Sequence, residues 1–142
     1  MEDSALVLEM MKSTGEFLFG MKQSHRPMKA LMHGEIFILE HLDRKNDTMT
    51  PGELSAIMGG SSARTAIALR NLEKKGYIKR DIDKADRRKI LVSITGEGQT
   101  LAREERESVL TKMKQIIGEL GEDDAREYIR IIGRITEITR KL

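Results

Sequence analysis

Between Ser61 and Lys89 lie two groups of side chains whose types and spacing suit recognition of a polyanion. The first comprises Ser61, Ser62, Ala63, Arg64, Ala66, Ile67, Arg70 and Asn71. On a helix, Ala63, Ile67, Arg70, Asn71 and Lys74 share one face with Arg64 and Ala66 on its flanks, while Thr65, Ala68, Leu69 and Leu72 recur at three-and-four spacing on the other. A guanidinium can pair with both acceptors of a guanine edge, an isoleucine can meet a thymine methyl, and alanines allow close approach, so this face has the chemistry of major-groove readout. Taken alone, it fits a solvated basic helix as well. The second group is Lys84, Asp86, Arg87, Arg88 and Lys89. Arginines of this kind gain from the concentrated negative potential of a narrow A·T-rich minor groove. Asp86 would repel phosphate by itself; it makes sense as a brace, accepting a charge-assisted hydrogen bond that holds an arginine extended. The bland alternative is an ordinary turn with an exposed ion pair worth under about 1 kcal/mol.

The elements that must position these groups can be read outward from them. Thr50-Pro51-Gly52-Glu53 combines a capping threonine, a proline where its missing N–H costs nothing and a glutamate that completes a capping box, so a short helix through Leu54, Ile57 and Met58 is expected. Gly59-Gly60 ends it, and Ser61 or Ser62 caps a second helix running to about Lys75, where Gly76 offers a left-handed stop. Two short helices around a tight turn form a helix-turn-helix. The period then changes to alternation in Ile78, Arg80, Ile82 and in Ile90, Val92, Ile94, with residues 83–88 as a hairpin tip. Upstream, helices are expected over residues 6–24 and 29–42, the latter on Met32, Ile36, Leu39 and Leu42. Downstream, Thr95 caps a long helix carrying Leu101, Val109, Met113, Ile116 and Leu120 that ends near Gly121. Asp123 and Asp124 open a last helix with Tyr128, Ile131, Ile132, Ile135, Ile138 and Leu142. That helix is apolar over more than one stripe, which implies burial against a second subunit.

Composition narrows the classes. The 142 residues fit one small domain with helical extensions rather than a large catalytic scaffold. The net charge is only +2, but residues 50–95 hold ten Lys/Arg against five Asp/Glu, whereas the counts are six against eight before and nine against ten after. The excess positive charge thus coincides with the two candidate groups, as a polyanion-binding surface requires. With no cysteine, thiol switches, disulfides and cysteine-ligated zinc are excluded. No apolar run is long enough to span a bilayer and the first residues lack a secretory pattern, so a cytoplasmic protein is expected. The Gly96-Glu97-Gly98 pair lacks the rest of a nucleotide loop, and the carboxylates fall at spacings of solvated faces, so no enzyme and no cofactor are expected.

The runs Thr50-Pro51-Gly52-Glu53-Leu54-Ser55, Leu72-Glu73-Lys74-Lys75-Gly76-Tyr77-Ile78-Lys79-Arg80, Asp83-Lys84-Ala85-Asp86-Arg87-Arg88 and Ser93-Ile94-Thr95-Gly96-Glu97-Gly98 resemble, in order and spacing, the successive signatures of the MarR (multiple antibiotic resistance regulator) family. Gly34 to Leu42 resembles that family's second helix. The resemblance implies a mainly α fold with a small β-hairpin wing: a winged helix-turn-helix domain at 29–95 (helix-turn-helix 50–76, wing 77–95) flanked by dimerisation helices at 1–28 and 96–142. It further implies a homodimer that binds a pseudopalindromic double-stranded DNA operator, commonly as a repressor, and spacing from Asp86 that favours Arg88 over Arg87 as the minor-groove residue. Arg64, Ala66 and Ile67 depart from the threonines and small polar groups frequent in relatives, so an operator sequence does not transfer.

The resemblance also implies a small apolar or aromatic effector between the dimer helices and the winged domain. Met10, Met11, Met21, Met28 and Met32 would give such a crevice a deformable wall, or simply fill core gaps. His25, His33 and His41 recur every eight residues, yet Pro27 interrupts them and no later histidine completes a tetrahedral set, so no metal site is expected. The rival to a sequence-specific regulator is a winged-helix module that binds protein, or that binds DNA without sequence preference as an architectural factor.

Overall fold

The computed structural model describes residues 2–24 and 34–142. In chain order the elements are α1 (Glu2–Ser24), α2 (Gly34–Lys45), α3 (Pro51–Ile57), α4 (Ser62–Lys74), β1 (Ile78–Ile82), β2 (Ile90–Ile94), α5 (Gly96–Leu120) and α6 (Glu122–Thr139). Two compact units are distinguished, Met1–Arg106 and Glu107–Leu142, with α5 beginning in the first and ending in the second.

The first unit holds the core. Ile36, Ile38, Leu39 and Leu42 of α2 meet Leu54 of α3, Ala68, Leu69 and Leu72 of α4, Ile78 of β1, Val92 of β2 and Ala102 of α5. These are the three-and-four stripes of the helices and one alternating face of the hairpin, and each large side chain removed from water contributes about 1.5–3 kcal/mol. The strands pair antiparallel, Ile78 opposite Ile94 and Ile82 opposite Ile90. Met49 adds a single bridge to Val92: its N–H donates to the Val92 carbonyl at 3.0 Å and its carbonyl accepts the Val92 N–H at 2.8 Å. This third strand position was not foreseen, because one bridged residue leaves no alternation to read.

Helix α2 is described from Gly34; the expected start near residue 29 falls in residues 25–33, with His25, Met28 and Met32, which lie outside the described residues. On α1, Met10 and Met11 are exposed, so neither fills core space within this chain.

In the second unit, α6 is strongly two-sided. Tyr128, Ile131, Ile132 and Ile138 form an exposed apolar stripe, with Ile135 half-buried. Glu122–Arg126 at 2.7 Å and Glu127–Arg130 form ion pairs on the same helix. The hydrogen bond from Arg130 holds the Glu127 carboxyl below its ordinary range. No helix among the described residues is long and apolar enough to cross a membrane.

Candidate nucleic-acid interface

The site rests on α3 and α4. Thr50 starts α3 with the expected capping box: its Oγ1 accepts the Glu53 N–H, and the Glu53 carboxylate accepts the Thr50 N–H, each at 3.2 Å. After the Gly59-Gly60 turn, Ser61 rather than Ser62 caps α4, accepting the Arg64 N–H. Thr65 then turns inward, and its hydroxyl donates to the Ser61 carbonyl at 2.8 Å. Thr65, Ala68, Leu69 and Leu72 are all buried, which leaves Ser62, Ala63, Arg64, Ala66, Ile67, Arg70 and Asn71 exposed on the outer side. Ile67 is 53% exposed, an aliphatic side chain presented to solvent between the arginines of the same helix.

Two carboxylates hold this helix in ways the sequence did not announce. Glu35, in the first turn of α2, accepts a hydrogen bond from the Asn71 amide at 3.1 Å and from the Lys75 ammonium at 2.8 Å. Asn71 therefore stands on the outward helix face with its amide already engaged. Glu73 receives the forked Arg80 guanidinium at 3.1 and 2.8 Å, joining α4 to β1. That bond pulls the Glu73 carboxyl below its ordinary range and pushes Arg80 above its own. Both pairs link residues distant in the repeat pattern, so helical periodicity carried no sign of them.

The corner from helix to wing is defined by backbone. The Gly76 N–H bonds the Glu73 carbonyl and the Tyr77 N–H bonds the Leu72 carbonyl, closing α4 with a Schellman turn that needs Gly76 at φ 82°. Thr95 locks the far side of the same corner. Its hydroxyl donates to the Gly76 carbonyl at 2.7 Å and accepts the Gly98 N–H at 3.1 Å, so it also caps α5 as expected. Gly98 lies so close to Tyr77 that an added Cβ would overlap the Tyr77 carbonyl oxygen.

In the wing tip, the Asp83 N–H bonds the Lys89 carbonyl and the Lys89 N–H bonds the Asp86 carbonyl, both at 2.9 Å. Asp86 Oδ1 accepts from the Arg88 backbone N–H at 3.1 Å and from its Nε at 3.3 Å. The Arg88 side chain is still 92% exposed, so the carboxylate steadies its base while the guanidinium stays in solvent. Lys84, Arg87 and Lys89 are exposed around it. The expected brace is thus present, and it holds Arg88.

His41 donates through Nδ1 to the Phe37 carbonyl at 3.0 Å and packs against the Phe37 ring at a tilt of 45°; His25 and His33 lie outside the described residues. Among the described residues no cluster of three or more His, Asp or Glu is arranged to hold a metal.

Helix, corner and braced hairpin lie in one stretch of the chain, and residues 35–117 match the model of the winged helix DNA-binding domain. The chain belongs to that family. Winged helix domains of this kind bind DNA and are not an enzyme family, in line with the expectation from sequence. The fold is shared with solved structures along nearly the whole chain. YusO from Bacillus subtilis is 19% identical with a TM-score of 0.72, covering 94% of this chain and 96% of that one. A MarR transcriptional regulator from Methanosarcina mazei Go1 is 21% identical with a TM-score of 0.71, covering 94% and 98%. FabT from Streptococcus pneumoniae, solved in complex with DNA, is 18% identical with a TM-score of 0.66, covering 99% and 96%. No curated protein matches the chain in sequence. The MarR-type winged-helix fold expected from the signature runs is therefore the fold of this chain.

Proposed function

We propose that the protein is a homodimeric, sequence-specific transcription regulator that represses from a pseudopalindromic operator, working in the cytoplasm. The observation that carries the reading is the exposed face of α4 joined through the Gly76 corner to a wing whose Arg88 is braced by Asp86. In this reading Ala63, Arg64, Ala66, Ile67 and Arg70 address base edges in the major groove, and Ser61 and Ser62 approach phosphate at the helix N-terminus. Asn71, engaged by Glu35, orients the helix and contacts DNA only with its remaining polar atoms. Arg88 enters the adjacent minor groove, with Lys84, Arg87 and Lys89 on phosphates.

Dimerisation is supported by the exposed apolar stripe of α6 and by exposed Leu6, Val7, Met10 and Met11 on α1. Apolar surface on this scale is rarely left to water. In the dimer, residues 1–28 and 96–142 supply the arms and 29–95 the reading head. Release by a small apolar or aromatic effector belongs to the same proposal; a thermal-shift series with phenolic carboxylates tests it, and absence of concentration-dependent stabilisation removes that class.

Selection of bound sequences from a random duplex library tests the whole. The expected result is an inverted repeat whose half-site centres lie about one helical turn, roughly 10 base pairs, apart or a multiple of it. Recovery of unrelated sequences would instead identify an architectural DNA-binding protein.

A further inference from the structure

Asn71 is exposed on α4, one residue after Arg70 and one helical turn after Ile67. With Arg64 and Ile67 it lines a shallow hollow beside the start of α2, and Glu35, in the first turn of α2, forms part of the same wall. The two oxygens of Glu35 are divided between residues one turn apart on α4. Oε1 accepts from Asn71 Nδ2 at 3.1 Å, and Oε2 accepts from Lys75 Nζ at 2.8 Å. The ion pair to Lys75 thus keeps the carboxylate turned towards Asn71.

This contact dictates which way round the amide stands. A carboxylate ionised at neutral pH offers acceptors alone, so only the NH2 end of an asparagine can face it with benefit. Turned over, the side chain would set its carbonyl oxygen against a carboxylate oxygen. Oδ1 is therefore directed away from Glu35, as an acceptor that cannot exchange places with the donor. An unrestrained asparagine can flip to suit a donor or an acceptor on a base edge; this one is held as an acceptor. In the major groove the exocyclic amines, N6 of adenine and N4 of cytosine, are donors, whereas guanine and thymine carry the acceptors O6 and O4 in the corresponding place.

We propose that Glu35 is a positioning residue that fixes Asn71 with its carbonyl oxygen outward, so that Asn71 selects an amino-bearing base, adenine or cytosine, over guanine or thymine at one position of each half-site. The proposal deepens the sequence-specific DNA-binding reading and rests on it. Glu35 does this without touching DNA, whose phosphates would repel its charge.

The experiment uses the full-length protein and symmetric duplexes in which each half-site position of the selected operator is changed in turn to all four bases, with affinity read by fluorescence anisotropy. Wild type is expected to favour adenine or cytosine at one position by about fivefold per half-site, the scale of one hydrogen bond, and by about 25-fold when both half-sites change together. In Glu35→Gln, the glutamine amide can meet Asn71 in either orientation. That preference should then fall to within about twofold per half-site, while preferences at the other positions persist. Asn71→Ala should act alike, and adding Glu35→Gln to it should change nothing further at that position. Lys75→Gln leaves the Asn71 contact in place and should retain the preference. If Glu35→Gln does not fold, Glu35→Ala also frees the amide and is read in the same way.

An unchanged base profile for Glu35→Gln overturns the proposal. So does an equal loss for every base at every position, which marks a residue that only steadies the fold. A preference for guanine or thymine at the Asn71-dependent position, or a loss in Lys75→Gln as complete as in Glu35→Gln, overturns it as well. A wild-type protein with no base preference at any position overturns the sequence-specific reading itself, and with it this one.

Discussion

The basic segment does not act as one undivided positive charge, and its ion pairs predict which cations answer to salt. Of the ten Lys/Arg between Thr50 and Thr95, Lys75 is bonded to Glu35 at 2.8 Å and Arg80 is forked onto Glu73, whereas Arg87 is exposed on the wing tip. A cation already neutralised by a carboxylate displaces few counterions when DNA arrives. Each cation that does neutralise a phosphate contributes about 0.9 to the slope of log affinity against log salt concentration. Arg87→Ala should thus lower the slope by about 1.8 for a dimer, which over a fourfold rise in salt makes the wild type lose about twelvefold more affinity than the variant. Lys75→Gln should leave the slope within about 0.3 of wild type. Fluorescence anisotropy on one operator duplex between 50 and 200 mM salt, with about six concentrations, resolves the difference. Equal slopes for wild type and Arg87→Ala, or a larger drop for Lys75→Gln, would refute the division of the surface by its pairing.

Other expectations follow from single contacts. Arg88→Ala should weaken binding mainly on operators with A·T-rich flanks, measured by competition between A·T- and G·C-flanked duplexes; equal loss on both would remove Arg88 from the minor groove. Gly98→Ala forces a Cβ onto the Tyr77 carbonyl oxygen and within 2.8 Å of the Ile94 side chain, and backbone cannot move aside cheaply. It should cost about 2 kcal/mol or more and lower Tm by roughly 8 °C or more, and an unchanged melting curve would contradict the close approach. Ile135→Asp places a charge in the apolar stripe of α6 and should give a monomer by sedimentation, with operator binding lost at concentrations that saturate wild type.

Much of this arrangement is legible in the sequence because it is written in local rules. Thr50, Pro51 and Glu53 specify a helix start by hydrogen bonds within four residues, and Gly76 marks a backbone conformation that few other residues adopt. Thr65, Ala68, Leu69 and Leu72 declare the inner face of α4 by spacing alone, which fixes the outer face by elimination. The Asp86–Arg88 brace joins residues two apart. What stayed hidden acts over distance: Glu35 on Asn71 and Lys75, Arg106 on Glu40 and Asp43, and Met49 bridging Val92. Such partners are chosen by the packed fold, so no period or cap in the chain reports them. Asn71 is an example: spacing places it on the outer face of α4, and only the packed fold gives its amide a carboxylate of α2 as partner.

The central claim, that the α4 face and the braced wing read sequence rather than charge alone, is tested most directly by one ratio. Affinity for the selected operator is compared with affinity for a random duplex of equal length at 150 mM salt. The account predicts a preference of about a thousandfold or more, dependent on the outer face of α4. Equal affinity for both duplexes, or no binding to either even at low salt, would contradict it.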